Sequence, residues 1–223
     1  MLQLNVKNET SRLRAVVLGS AVSNGPTPTA EEAYDPKSLE HILAGTYPVE
    51  KDMVNEMEAF NQVFQKYNVQ VFRPQMIENY NQIFTRDIGF VIDDIFIKAN
   101  ILPDRDRELD AIQYIIDQIN PNKVVRPPDD VHIEGGDVML WNDYIFIGTK
   151  IEYDIKNECG YIYNARTAAD PWFFGGEKIE LLPDKSLIIY NGFITTSPGV
   201  NPEWKISSNI TTLSNKNYLI SED

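Results

Sequence analysis

The sequence predicts an α/β fold assembled from a repeated unit of hairpin, helix and strand. Three observations carry this. Strand-like and helix-like patterns alternate through the first half of the chain. Four segments share one shape: an apolar strand, a polar turn of two or three residues, and a second apolar strand. The first two of these start about 48 residues apart (137 minus 89), with a helix and a strand between them. A period of that size suggests radially arranged blades or stacked units.

The elements follow in order. Arg12 to Gly19 reads as a first strand closed by a glycine, Ser23 to Pro28 as turn, and Tyr34 to Pro48 as irregular chain with scattered Pro and Gly. Lys51 to Tyr67 has helical period, with Met53, Met57, Phe60, Phe64 and Tyr67 on one face. Val69 to Pro74 is the next strand. A second helix is expected from Asp104, an N-cap after Pro103, with Leu109, Ile112, Ile115, Ile116 and Ile119 as its apolar stripe. Pro121 ends it, because a residue before proline resists helical geometry. Lys123 to Pro128 is a strand that echoes Val69 to Pro74.

The hairpins are Gly89–Lys98, Asp137–Gly148, Ile179–Tyr190 and Ile210–Ile220. Their turns, such as Asp93-Asp94, Asn142-Asp143, Asp184 to Ser186 and Asn215 to Asn217, are rich in turn formers. The rhythm breaks between Thr149 and Lys178, where no element of the earlier type is expected. It breaks again between the third and fourth hairpins, where no helix fits.

Composition narrows the function. The chain has 223 residues, 43% apolar and 24% charged, which is globular composition. Folding a chain of this size buries roughly 70–75% of its extended surface, so one large domain is the default, with two small ones as the alternative. No apolar run approaches the ~18 residues of a membrane span, and Met1 to Lys7 does not read as a secretory signal. Cys159 is the only cysteine, which excludes a disulfide framework and a Cys-based zinc site and makes the cytoplasm the simplest compartment. With 20 Lys+Arg against 33 Asp+Glu, the net charge of −13 disfavours nucleic acid as a partner. It modestly favours cationic small molecules. No membrane partner is expected, and a homodimer is the default assembly.

Two segments hold more chemistry than a core requires. Asn81-Gln82-Ile83-Phe84-Thr85-Arg86-Asp87 stands before the first hairpin, and His132-Ile133-Glu134-Gly135-Gly136-Asp137 before the second. Radial units would bring Asp87, Glu134 and Asp137 together. Converging carboxylates want a cation, since like charges otherwise raise each other's pKa. A planar guanidinium with five N–H donors suits such a site. Gly135-Gly136 would allow close backbone approach or positive φ. A metal is the rival occupant, but two histidines, His41 and His132, beside carboxylates make a poor transition-metal set, and no metal or cofactor is expected. Arg86 beside Asp87 reads as structural.

Phe84-Thr85-Arg86-Asp87 and Glu134-Gly135-Gly136-Asp137, each heading a hairpin, resemble motifs of the guanidino-group-modifying enzymes of the pentein superfamily. These include arginine deiminase, the amidinotransferases and dimethylarginine dimethylaminohydrolase. The resemblance is strongest to bacterial amidinotransferase-like proteins and extends from Arg12 to Thr167, loosely beyond. Ala165-Arg166-Thr167 resembles a third signature, and Pro202-Glu203-Trp204 through Asn209 to Leu213 a late blade. The resemblance implies a five-bladed α/β propeller formed as one domain over residues 1–223. It implies that Asp87 grips the substrate guanidinium, that Glu134 lines the same pocket, and that Asn81 and Arg166 hold the amino-acid end of a substrate such as arginine. Gly135 and Asp137 match the motif. It also implies covalent chemistry, in which a cysteine thiolate attacks the guanidino carbon, a histidine moves protons, and an amidino-enzyme passes to water or an amine.

The sequence departs from that pattern in one respect. The family carries its histidine in a His-x-Asp strand before the next-to-last blade and its cysteine near the C-terminus; neither is present here. The propeller is therefore expected to be incomplete, lacking part of the fourth unit and the C-terminal segment, and no catalytic residue is assigned within the 223. Cys159 is in the wrong place to be the nucleophile, and His132 reads as a structural or supporting histidine.

Overall fold

A computed structural model describes residues 1–33, 36–141, 144–169, 171–198, 201–214 and 219–222. The fold is mixed α/β and mostly sheet. It divides into two compact units, Met1–Leu4 with Arg12–Phe90 and Ile95–His132, and Asn5–Ser11 with Val91–Asp94 and Ile133–Asp223.

In the first unit, β1 (Ala15–Val17) pairs in parallel with β2 (Gln70–Phe72), Val16 opposite Val71. The crossover holds two helices, α1 (Pro36–Leu43) and α2 (Glu50–Lys66). Sequence pattern placed α1 in irregular chain, because its Pro and Gly read as loop punctuation. They are its boundaries. Pro36 opens the first turn, where its missing N–H costs nothing. Gly45, at φ 66°, closes it: Gly45 N–H donates to the Ile42 carbonyl at 3.1 Å and Thr46 N–H to that of His41 at 2.9 Å. Helix α2 forms as expected, yet none of its residues is fully buried, and Phe60 and Tyr67 of its apolar face are 49% and 63% exposed.

Strands β3 (Gly89–Ile92) and β4 (Ile95–Lys98) are the first hairpin, and β5 (Val124–Val125) joins β4 in parallel. The helix expected from Asp104 is broken into three turns: a 3-10 turn at Pro103–Arg105, α4 (Arg107–Ala111) and α5 (Gln113–Ile116). Asp104 is not its N-cap. Pro103 takes the first helical position, which moves the cap to Leu102. The apolar stripe survives the break, and Leu109, Ile112, Ile115, Ile116 and Ile119 are all buried.

The second unit is an antiparallel sheet. The second hairpin is β6 (Val138–Trp141) and β7 (Tyr144–Ile147). Where no element was expected, there are three strands: β8 (Lys150–Asp154), β9 (Cys159–Ala169) and β10 (Trp172–Leu181). Their alternation is masked in sequence by tyrosines and charges on the outer face. Strands β11 (Leu187–Thr195), β12 (Ile206–Leu213) and β13 (Leu219–Glu222) complete the order β13-β12-β11-β10-β9-β7-β6, with β8 also on β9. Hairpins two, three and four thus share one sheet instead of heading separate units, because β9 to β11 run far past the hairpin turns and pair along their whole length. The turns Asn142-Asp143 and Asn215 to Asn217, and the side chain of Asp104, lie outside the described residues.

A row of Ile151, Ile162, Ile179, Ile189 and Thr211 crosses five strands at matched register. Its Ile162, Ile179 and Ile189 join Phe146, Phe174, Leu181, Leu187, Met139 and Trp141 in one buried cluster, with Ile151 packed against it. The pleat sends Tyr161, Lys178, Glu180 and Tyr190 to the opposite face. There Lys178 Nζ lies 4.4 and 4.6 Å from the ring centroids of Tyr161 and Tyr190. Among the described residues no helix is long and apolar enough to cross a membrane.

Candidate functional site

The segment before the first hairpin is pinned from behind. Gln82, 1% exposed, accepts from Ile77 N–H at 2.8 Å and donates to the Gln75 carbonyl at 2.9 Å. Ser20 N–H donates to the Gln82 carbonyl at 2.9 Å, tying the segment to the end of β1. Asn81 Oδ1 accepts from Ile83 N–H at 3.0 Å. Thr85 Oγ1 donates to the Val17 carbonyl at 2.9 Å. A short helix, α3 (Thr85–Ile88), then presents Asp87 and buries Ile88 completely.

Asp87 holds a guanidinium. It belongs to Arg105, whose Nη1 donates to Asp87 Oδ2 at 3.2 Å. Arg105 Nε donates to Glu108 Oε1 at 2.7 Å, and Nη2 to Glu108 Oε2 and the Phe84 carbonyl, both at 3.3 Å. Burial opposes the charge on Arg105, but the bonds and charge of Glu108, and then of Asp87, outweigh it and raise the guanidinium pKa above its ordinary value. Nearby, Arg107 stacks on Tyr80 with its Cζ 5.3 Å from the ring centroid. The Tyr80 phenol is pushed up first by burial and then by the charge of Glu108.

Arg105 and Glu108 were not singled out from sequence. The signal was present: Glu108 stands four residues before Ile112 and seven before Ile115, a carboxylate on the buried stripe. Such a residue needs a cation within reach.

In the second unit, Glu134 is the N-cap residue of a 3-10 turn, Gly135–Asp137, that runs straight into β6. Asp137 N–H donates to the Glu134 carbonyl at 3.0 Å, and the Asp137 carbonyl accepts from Gly148 N–H at 3.1 Å, closing the base of the hairpin. Gly135 is buried. Neither Gly135 nor Gly136 has the positive φ that sequence allowed, because a right-handed 3-10 turn needs negative φ. Arg166 is exposed on β9, with its Cζ 6.0 Å from the Phe193 ring centroid. Ile147 faces both Val138 and Arg166, so Arg166 stands two strands from the residue after Asp137. Asn81 and Asp87 belong to the first unit; Glu134, Gly135, Asp137 and Arg166 belong to the second.

The remaining candidates are held structurally. His132 Nδ1 lies 3.2 Å from the Asn100 carbonyl and donates to it, since that oxygen only accepts. Asn100 is itself a hub, donating to the carbonyls of Pro127, Pro128 and Val131 and accepting from Arg126 Nε at 2.8 Å. Cys159 is a half-buried free thiol opposite Asp154 at the start of β9. Among the described residues no group of three or more His, Cys, Asp or Glu is placed to hold a metal ion. A hollow of about 230 Å³ in the second unit, lined by Glu9, Trp141, Tyr153, Glu158 and Lys185 among others, contains none of the sequence-predicted site residues.

No protein-family model matches the chain. No curated protein matches it. Its neighbours among solved structures are amidinotransferases and dimethylarginine dimethylaminohydrolases, enzymes of the pentein superfamily. One is the inosamine-phosphate amidinotransferase of Streptomyces griseus, at 19% identity and a TM-score of 0.48, covering 64% of this chain and 54% of that one. Another is an amidinotransferase of the saxitoxin biosynthetic pathway from Microseira wollei, at 16% and 0.47, covering 62% and 52%. A third is the dimethylarginine dimethylaminohydrolase of Pseudomonas aeruginosa, complexed with citrulline, at 16% and 0.44, covering 62% and 51%. The chain spans about half the length of the solved structures it matches.

Proposed function

We propose that this chain is the guanidino-binding part of a pentein-type enzyme, an amidinotransferase or guanidino hydrolase acting on arginine or a related compound. In this reading the propeller is one domain, of which these 223 residues form a part. The thiolate and the proton-relaying imidazole, which would form and resolve an amidino-cysteine, come from residues beyond them. The observation that supports the reading best is Asp87: it stands at the head of the first hairpin and already bonds a planar guanidinium at 3.2 Å. The two signatures also share a local plan, since each forms a short helical turn that enters a hairpin directly. Asn81, Glu134, Gly135, Asp137 and Arg166 complete the proposed substrate-binding set, the carboxylates fixing the cationic head and Arg166 the carboxylate end.

A titration of L-arginine into the chain, followed by calorimetry, tests this. Binding is expected, and Asp87→Asn made in an Arg105→Lys background, where the chain's own guanidinium does not compete, should weaken it roughly 10- to 150-fold, the worth of a charge-assisted bond of about 1.5–3 kcal/mol. Unchanged affinity in that variant would remove Asp87 from the site. The intact mass of the native gene product is expected to exceed 25.5 kDa. A second reading, a non-catalytic domain that binds a guanidino ligand or a protein partner, is favoured by Arg105 already filling the Asp87 carboxylate. It predicts arginine binding with no release of citrulline, ornithine or ammonia by the native protein.

A further inference from the structure

Arg105 is surrounded as a free guanidinium would be in a receptor. Two carboxylates and one carbonyl engage Nε, Nη1 and Nη2 of its fork. The pocket is largely closed, with side chains 13% exposed for Arg105, 3% for Glu108 and 21% for Asp87. Glu108 cannot sit there as a lone charge, because an unpaired buried carboxylate is strongly unfavourable. The walls come from α3, α4 and the Phe84 carbonyl, while the occupant enters from the 3-10 turn at Pro103–Arg105.

We propose that Asp87, Glu108 and the Phe84 carbonyl form a guanidinium receptor that Arg105 fills from within the chain, so that a guanidino ligand reaches Asp87 only by displacing Arg105. This rests on the reading of Asp87 as the substrate grip and adds a built-in competitor to it. A tether of this kind holds its head group at high effective concentration. If Arg105 is in place 99% of the time, the apparent affinity for a free ligand falls about 100-fold.

The test uses guanidinium chloride at about 10 mM against NaCl at the same concentration. Arg105→Ala should melt below wild type and regain about 3 °C or more in guanidinium but not in NaCl, as expected for a ligand present at several times its Kd. Wild type, with the receptor filled, should show no such gain. An equal response of the variant to both salts, or an equal gain in wild type, overturns the proposal. Arg105→Lys keeps a cation beside Glu108 without the fork, and it decides the matter where Arg105→Ala does not fold. It should bind L-arginine about tenfold more tightly than wild type, and equal affinity overturns the proposal. The functional reading fails separately. L-arginine binding that depends on Asp87, with no guanidinium response in either variant, removes Arg105 as occupant and leaves the function. Guanidinium rescue in a chain that never binds L-arginine supports the receptor and removes arginine as its ligand.

Discussion

Glu108 sets the energetics of its neighbourhood. It is 3% exposed and bonds Arg105 twice. Glu108→Ala would take from the buried Arg105 charge the carboxylate that bonds it twice, a change expected to cost about 3–5 kcal/mol and to appear as a lowered thermal midpoint. The outer face of the second unit titrates instead. Glu180 Oε2 accepts from the Tyr190 hydroxyl at 2.8 Å, and that bond raises the Tyr190 phenol; the charge of Glu180 is the main cause of the rise at Tyr161. Below the ordinary phenol pKa of 10.0 both phenols are neutral, folded or unfolded, and this contribution to stability is fully present. Above it the unfolded chain ionises first, so stability falls as pH rises through the raised values of the folded state. Glu180→Gln should bring both phenols down in an ultraviolet titration; unchanged phenolate absorbance would remove Glu180 as the cause. Asp87 and Glu134 were legible as candidates because their motifs are local. Arg105, Glu108 and Asn100 were not read, because what marks them is burial, with Asp87 18 residues from Arg105 and the carbonyl partners of Asn100 27 to 31 residues away.

At the scale of elements, close approach between strands does most of the specifying. A Cβ on Gly192 would meet Ile189 Cγ2 and, at 2.6 Å, the Gly175 carbonyl oxygen. Backbone on a paired strand cannot yield, so Gly192→Ala should destabilise by about 1–3 kcal/mol in chemical denaturation. The stripe over α4 and α5 is equally exacting: Ile115 is 5% exposed, and Ile115→Ala should cost about 2–5 kcal/mol. That stripe, both β-strands of the parallel pair and the four hairpins were readable, since each repeats within a few residues. Helix α1 was missed because Pro36 and Gly45 serve as its ends, and β8 to β10 because their outer faces carry Tyr161, Tyr163, Lys178 and Glu180 in place of a plain polar pattern.

For the molecule as a whole, a net charge of −13 means self-repulsion. Raising NaCl from about 10 to 300 mM shortens the Debye length from roughly 30 Å to less than 10 Å and should raise the thermal midpoint. A fall would mean that exposed ion pairs outweigh the net repulsion. Short-range patterns in the sequence determined the α/β character, the hairpins, the apolar stripe and the two acidic signatures, because hydrogen-bond spacing and pleat period act over a few residues. Tertiary structure alone decided that three hairpins merge into one sheet and that Asp87 and Glu108 close on Arg105. Strand pairing and charge burial depend on which distant segments meet, and no local period records that.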